Sequence, residues 1–368
     1  MENMVNQIDD FELVKNYFRG KKVFLTGHTG FKGSWFLVLL DILGAKTKGY
    51  ALSPKNENSL FFSIIDNCIC ESVIGDIRDR EKLKKELSDF QPDFIFHLAA
   101  QPLVKESYIN PVETFETNVI GTSILLDSIK VLKKDCVCIV ITTDKVYENK
   151  EWDYPYRECD VLGGHDPYST SKACTELVSK SFYNSYFSET VPNGYKISIA
   201  TARAGNVIGG SDWSANRIIP DIIRSFMSNV PLNIRSPRSI RPWQHVIEPL
   251  VGYLKLGIYL KESKVSKFES FNFGPLDDDC ISVMTLVQVA IKHLNHKIDI
   301  SEEKDSLNFH EAKLLKLDIN KTINILNWKP KFNSTEAVGL TIDWYKKVLN
   351  GQSPLELSRF QILSYFEK

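Results

Sequence analysis

Tyr168-Ser-Thr-Ser-Lys172 sets a phenol and an ammonium four residues apart, so that on a helix both project from one face. A free phenol loses its proton near pH ~10, and a neighbouring cation favours the phenolate. Such a phenolate can take the proton of a substrate hydroxyl. The spacing alone is a weak signal, because Tyr17 and Lys21 repeat it ahead of the first apolar run with nothing chemical around them. Tyr168 differs in its setting. It lies a short loop beyond an apolar run that ends Thr142-Thr143-Asp144-Lys145. Hydroxyl, carboxyl and amine at a strand end can converge with Tyr168 and Lys172 at the carboxyl edge of a sheet, where α/β folds bind ligands. A protonated Lys145 cannot abstract a proton. It could do so only if burial or another cation lowered its pKa; otherwise it can stabilise a developing enolate by its charge. The bland alternative is a surface lysine paired with Glu148 or Glu151.

A second constellation could hold phosphate. Gly27-His-Thr29-Gly30-Phe31-Lys32-Gly33 follows a predicted strand, Lys22–Thr26, and opens a predicted helix, Phe31–Leu43. A tight strand-to-helix turn needs unusual backbone angles, and a pyrophosphate must reach backbone N–H groups with no Cβ in the way. The helix N-terminus adds partial positive charge. The same glycines could mark an ordinary turn, but strand, turn and helix in this order favour a dinucleotide.

The elements around these residues alternate. Strands are expected at Thr47–Leu52, Asp93–Leu98, Cys136–Thr142 and Lys196–Arg203, with helices at Arg80–Asp89 and Pro111–Leu132. That rhythm predicts an α/β fold with a doubly wound parallel sheet. Beyond Arg203 it loosens: a loop at Gly209–Asn216, helices at Arg217–Met227, Glu248–Leu260 and Ile281–Asn295, an irregular stretch at Pro231–Pro242, and a strand at Phe271–Gly274. We expect a dinucleotide-binding unit over 20–203, joined by 242–274, and a smaller substrate lobe from 204–241 and 275–368.

Composition narrows the function. The 368 residues are 43% hydrophobic, enough for two lobes, since single cores stop growing near ~250–300 residues. The formal net charge of -1 gives nucleic acid no electrostatic footing. Met1–Asp10 carries Glu2, Asp9 and Asp10 and lacks the apolar run of a signal peptide, and no stretch reaches the ~18–20 apolar residues that span a bilayer. Seven scattered cysteines offer no zinc set. The pairs Cys68/Cys70 and Cys136/Cys138 would each face one side of a strand, as buried thiols of a cytoplasmic protein.

The Gly-x-x-Gly-x-x-Gly form resembles the extended short-chain dehydrogenase/reductase family, which implies a Rossmann-type fold and a nicotinamide cofactor. The resemblance implies that Gly27, Thr29, Gly30, Phe31, Lys32 and Gly33 cradle that cofactor, with Asp76 and Ile77 at the adenine. It further implies that Leu98, Ala99, Ala100, Gln101, Asn118, Thr142, Tyr168 and Lys172 line the cofactor. Asp76 could instead cap the helix that follows it. The second strand ends Tyr50-Ala-Leu-Ser53, with neither the acid that holds an NAD ribose nor an arginine, although Lys32 and Lys55 are near. NAD is the reading by resemblance, with NADP left open.

Thr143-Asp144-Lys145 resembles the Thr-Asp-Glu of nucleotide-sugar 4,6-dehydratases. The resemblance extends from Val23 to about Gly274. It implies that Thr143 orients the C4 hydroxyl, that Asp144 protonates the leaving C6 hydroxyl, and that Lys145 assists loss of the C5 proton. Lysine in place of the usual glutamate resembles the branch acting on CDP-glucose. By the same resemblance Gln101, Thr143, Asn206, Arg217, Arg241 and His245 contact substrate, guanidinium suiting diphosphate oxygens. Trp213 and Trp243 read better as packing residues than as stacking platforms. A homodimer is implied, built from the Pro111–Leu132 and Ser169–Phe187 helices. The alternatives are a same-fold epimerase, reductase or dehydratase for another nucleotide sugar, or a catalytically silent sensor.

Overall fold

Successive strand residues bury on opposite sides, which requires apolar cover on both faces of one sheet. The computed structural model describes residues 10–54, 56–189, 194–302 and 314–368. Its central sheet has strands β1 (Lys22–Thr26), β2 (Lys46–Ala51), β3 (Glu71–Ile74), β4 (Phe94–His97), β5 (Cys136–Ile141), β6 (Ile197–Ala204) and β7 (Phe268–Phe273). Their spatial order is β7-β6-β5-β4-β1-β2-β3, and every neighbouring pair is parallel. Val23, Leu25, Phe94, Phe96, Val137 and Ile139 join one core. Phe24, Ile95, Cys136, Cys138 and Val140 join the other. The sheet is thus doubly wound, as expected, and the strand order reverses between β1 and β4. Ligands bind at such a switch point, outside the carboxyl ends of the strands.

The helices that matter for the site are α1 (Phe31–Ile42), α2 (Arg80–Phe90), α3 (Pro167–Phe182), α4 (Ile218–Ser228), α5 (Ile247–Glu262) and α6 (Ser334–Leu349). α3 begins with Pro167 at its first position and a reciprocal cap between Asp166 and Ser169, which pins the start of the Tyr168 helix.

Several expectations are corrected. The helix expected over Pro111–Leu132 is interrupted by a π turn at Glu116–Ile120, which holds Asn118. β3 went unpredicted: it is a four-residue edge strand with mixed burial, so it has no periodic signal. Cys68 and Cys70 do not share a strand. Cys68 sits at φ 53°, closing the turn after the helix Leu60–Ile65. Cys136 and Cys138 do lie on one face of β5, buried, whereas Cys68 and Cys159 are exposed. Pro231–Pro242 is not irregular throughout. Leu232–Ile234 pairs with Ile300–Glu302, and Ile240–Arg241 pairs with Ile281–Ser282. Among the described residues no helix is long and apolar enough to cross a membrane, and no cluster could hold a metal ion. Met1–Asp9 and Lys55 lie outside the described residues.

Candidate active site

The glycine turn links β1 to α1 at the switch point. Gly27 adopts φ +75°, and a Cβ there would meet Ala99 N at 2.7 Å, so both conformation and space demand glycine. A Cβ on Gly33 would meet Gly27 O at 2.1 Å, whereas one on Gly30 would meet nothing closer than 3.4 Å. Gly30 caps α1 without a side chain, leaving the amides of its first turn to a ligand. This cradle fits a pyrophosphate. Gly33→Ala is expected to cost roughly 1–3 kcal/mol by overpacking the turn. An unchanged denaturation midpoint would contradict that packing.

The expected cofactor residues are distributed as follows. Thr29 Oγ1 donates to Leu52 O at 2.8 Å. The Asp76 carboxylate is taken up by Arg78 and held below the usual carboxylate range; the cap of α2 is Asp79, not Asp76. Ile77 is buried against Gly121. The loop after β4 carries Leu98, Ala99 and Ala100 beside the turn, with Ala99 N donating to Thr26 Oγ1 at 3.2 Å. Asn118 ties this loop to α3: it accepts from Gln101 N at 2.8 Å and donates to Ser171 Oγ at 2.9 Å. The Gln101 side chain is occupied by Leu103 of its own loop and by Thr114 on the helix Pro111–Phe115.

At the carboxyl end of β5, Thr143 Oγ1 donates to Asp144 Oδ1 at 2.9 Å. Asp144 is 2% exposed, and its Oδ2 has no hydrogen-bond partner among the described residues. Burial raises its pKa, against the opposing charges of Lys145 and Arg241, which favours the protonated form. Burial pushes the Tyr168 phenol up to about 12, with Thr143 and Arg217 acting in the opposite direction. Arg217 is therefore a cation acting on the phenol, while Lys172 Nζ donates to Ile141 O at 3.0 Å. Burial lowers Lys172 to about 8, and the Glu176 carboxylate resists that fall. Lys145 is half-buried, and among the described residues no carboxylate ion-pairs with it; Glu148 goes to Lys150.

Lys32, expected at the cofactor, reaches further than its place in the turn suggests. Its Nζ donates to Tyr253 OH at 3.0 Å. Burial and the cations Lys172 and Arg217 lower it to about 7, with Asp144 opposing. Five groups from α1, β5, α3 and the start of α4 therefore share one electrostatic neighbourhood. The second tyrosine–lysine pair is elsewhere, with Tyr17 OH donating to Glu262 Oε1 at 2.7 Å.

The expected substrate residues separate. Arg217 pairs with Asp212 at 2.9 Å and keeps about a third of its side chain exposed. Arg241 is buried and acts on Asp144. Asn206 is half-buried before Val207–Ile208, which pairs with Gln244–His245. His245 is wholly buried between Trp35 and Phe332, and burial holds its ring neutral with a pKa of about 3. Trp243 and Trp213 pack as expected, donating to Ile281 O at 3.2 Å and Asn58 O at 3.0 Å. Two groups escaped the sequence reading. Tyr253 sits on an apolar helix and shows no chemical pattern. Glu176 does have a signal, being four residues past Lys172 on the same face.

Comparison with known proteins follows from this geometry. Residues 24–341 match the family described as GDP-mannose 4,6 dehydratase. A CDP-glucose 4,6-dehydratase of Salmonella typhimurium is 46% identical over 354 residues, covering 95% of this chain and 98% of that relative. Two solved structures share the fold. An epimerase from Methanothermobacter thermautotrophicus superposes with TM-score 0.77 at 22% identity, over 92% of this chain and 96% of that one. A dTDP-glucose 4,6-dehydratase from Streptomyces venezuelae, solved with NAD bound, gives 0.75 at 21% identity, over 91% and 99%. The matched span takes in every residue placed at the site above, and the full-length relative agrees with it: the chain belongs to the GDP-mannose 4,6 dehydratase family.

Proposed function

We propose that this chain is a nucleotide-sugar 4,6-dehydratase that converts CDP-glucose to CDP-4-keto-6-deoxy-glucose and water, with NAD as its cofactor. The observation that carries this reading is the buried Asp144 carboxyl, its pKa raised by burial and its Oδ2 without a hydrogen-bond partner among the described residues, beside Thr143 and Tyr168. The Salmonella relative supports the CDP-glucose assignment, and the NAD-bound Streptomyces structure supports the cofactor.

The turn Gly27–Gly33 and the amides of α1 would hold the pyrophosphate, with Asp76 and Ile77 toward the adenine and Leu98–Gln101, Asn118, Thr142 and Lys172 along the rest. NAD, when bound, would supply a hydride acceptor for C4 and a hydride donor for C6, with a proton returned to C5, so that the cofactor would end the cycle as it began. Tyr168 takes the proton of the C4 hydroxyl, which Thr143 orients. The C4 ketone acidifies the C5–H bond. Lys145 assists removal of that proton, as base or by stabilising the enolate, while Asp144 donates its proton to the departing C6 hydroxyl, so one water leaves. Asn206, Arg217 and Arg241 lie toward the nucleotide diphosphate, in a lobe made of 204–241 and 275–368.

Incubation with NAD and a panel of nucleotide-glucoses, read by mass spectrometry, tests this reading. Loss of one water from CDP-glucose is expected. Loss from another nucleotide would correct the base, and a C4 epimer of unchanged mass would overturn dehydration. Lys145→Met is expected to slow exchange of the C5 proton with deuterated solvent by roughly 10²-fold. Exchange at the wild-type rate would remove Lys145 from the mechanism.

We also propose a cytoplasmic homodimer. Ile109, Val112, Ile120 and Leu177 are each more than half exposed on the helical segments 104–131 and 167–187, and a second copy would cover them. Sedimentation should give twice the chain mass.

A further inference from the structure

Beneath the Thr143–Lys145 turn lies a fully buried ion pair that the reaction as drawn does not use. Glu176 and Arg203 have side chains 2% and 3% exposed. Glu176 accepts Arg203 Nε at 3.0 Å and Thr142 Oγ1 at 2.6 Å on one oxygen. Its other oxygen accepts Arg203 Nη2 at 2.9 Å and Thr201 Oγ1 at 2.6 Å. The remaining arm of Arg203 donates to Tyr147 OH at 2.8 Å and Glu158 O at 3.2 Å, and Tyr147 OH donates on to Asn272 Oδ1 at 2.7 Å.

The connectivity matters more than the count of bonds. Thr142 and Tyr147 bracket the segment Thr143-Asp144-Lys145, and both are tied to the same pair. Glu176 also sits on α3 four residues beyond Lys172 and eight beyond Tyr168, so the pair locks the helix bearing the phenol to the turn bearing the carboxyl. A buried ion pair is a poor way to gain stability, because desolvation consumes most of the Coulomb attraction and apolar residues of like volume often do as well. A role in geometry explains its place better than a role in stability.

We propose that Glu176, paired with Arg203, is a positioning residue for the dehydration: it clamps both ends of the Thr143–Lys145 turn and holds a carboxylate one helical turn from Lys172. The proposal rests on the dehydratase reading above. The charge of Lys172 supports it. Burial depresses that ammonium to about 8 with Glu176 opposing, and the other titratable groups facing it, Lys32 from α1 and His97 from β4, offer no negative charge.

The test is the double variant Glu176→Met with Arg203→Met, which removes both charges together and leaves neither stranded. The wild-type protein run alongside separates the two claims: a wild type that dehydrates no nucleotide sugar overturns the functional reading and this one with it. With an active wild type, the double variant should keep its melting temperature within a few degrees, lose roughly 10²-fold in kcat as the turn shifts, and change KM little. Its basic limb of activity should move about one unit lower in pH, because Lys172 loses its counter-charge. A folded double variant with wild-type kcat and pH profile would overturn the proposal. If the double variant does not fold, Tyr147→Phe cuts the far end of the clamp while keeping the ring. A severalfold fall in kcat is expected, and wild-type kcat would overturn the proposal equally.

Discussion

Asp144→Asn is expected to lower dehydration by at least ~10³-fold while leaving exchange of the C5 proton with solvent in place. The amide is the same shape as the acid, so the hydrogen bond with Thr143 Oγ1 can persist, but the amide has no proton to give the C6 hydroxyl. Burial raises the pKa of Asp144, which favours its protonated form, and its Oδ2 lacks a partner among the described residues. The sign of the pH dependence follows. A carboxyl whose folded pKa is raised binds its proton more tightly in the folded chain than in the unfolded one. Below its ordinary range both states are protonated and the difference vanishes. As the pH climbs through the raised value, the folded chain must ionise a buried group and loses stability. Wild type should therefore lose melting temperature relative to Asp144→Asn as the pH rises, and the catalytic acid should be lost over the same window. Equal melting curves at acidic and alkaline pH, or a variant that still releases water, would remove the acid role.

Tyr168→Phe is expected to abolish the first proton transfer, with a loss of roughly 10³–10⁴-fold in kcat and little change in fold. The ring is 9% exposed and stays in place without its hydroxyl, so the change isolates the proton. The phenol pushed up to about 12 by burial needs help to ionise, and the Thr143 hydroxyl, by a hydrogen bond, and Arg217, by its charge, provide part of it. Lys172, lowered to about 8, is fully charged below that value and loses its charge above it, so activity that depends on it should fall on the alkaline side. In contrast with Asp144→Asn, the Tyr168→Phe variant should show neither water loss nor C5 exchange, since the ketone that acidifies C5 never forms. Retained exchange would place the C4 proton elsewhere.

The two variants therefore separate the steps in time, and the geometry says why they can. Tyr168 and Asp144 come from different elements, α3 and the turn after β5, with Thr143 beside both.

What could be read from the chain alone is what depends on short-range geometry. Gly27 and Gly33 declare a strand-to-helix turn, because backbone angle or close approach demands glycine at both within seven residues. Tyr168 and Lys172 share a face because a helix repeats every 3.6 residues, and the pleat sends successive residues of the apolar runs β1, β4 and β5 to opposite cores. Elements without such periodicity stayed hidden, as β3 and the paired short strands of 232–234 and 300–302 did. Only the tertiary structure decided which charges act on which. Lys32 meets Tyr253 across 221 positions, and Arg203 meets Tyr147 across 56. His245, expected at the substrate, is a neutral ring buried in the core. The reason is the sheet order: bringing β1, β4, β5 and β6 side by side fixes distances that no local rule contains, and burial at that junction then biases which group carries a proton.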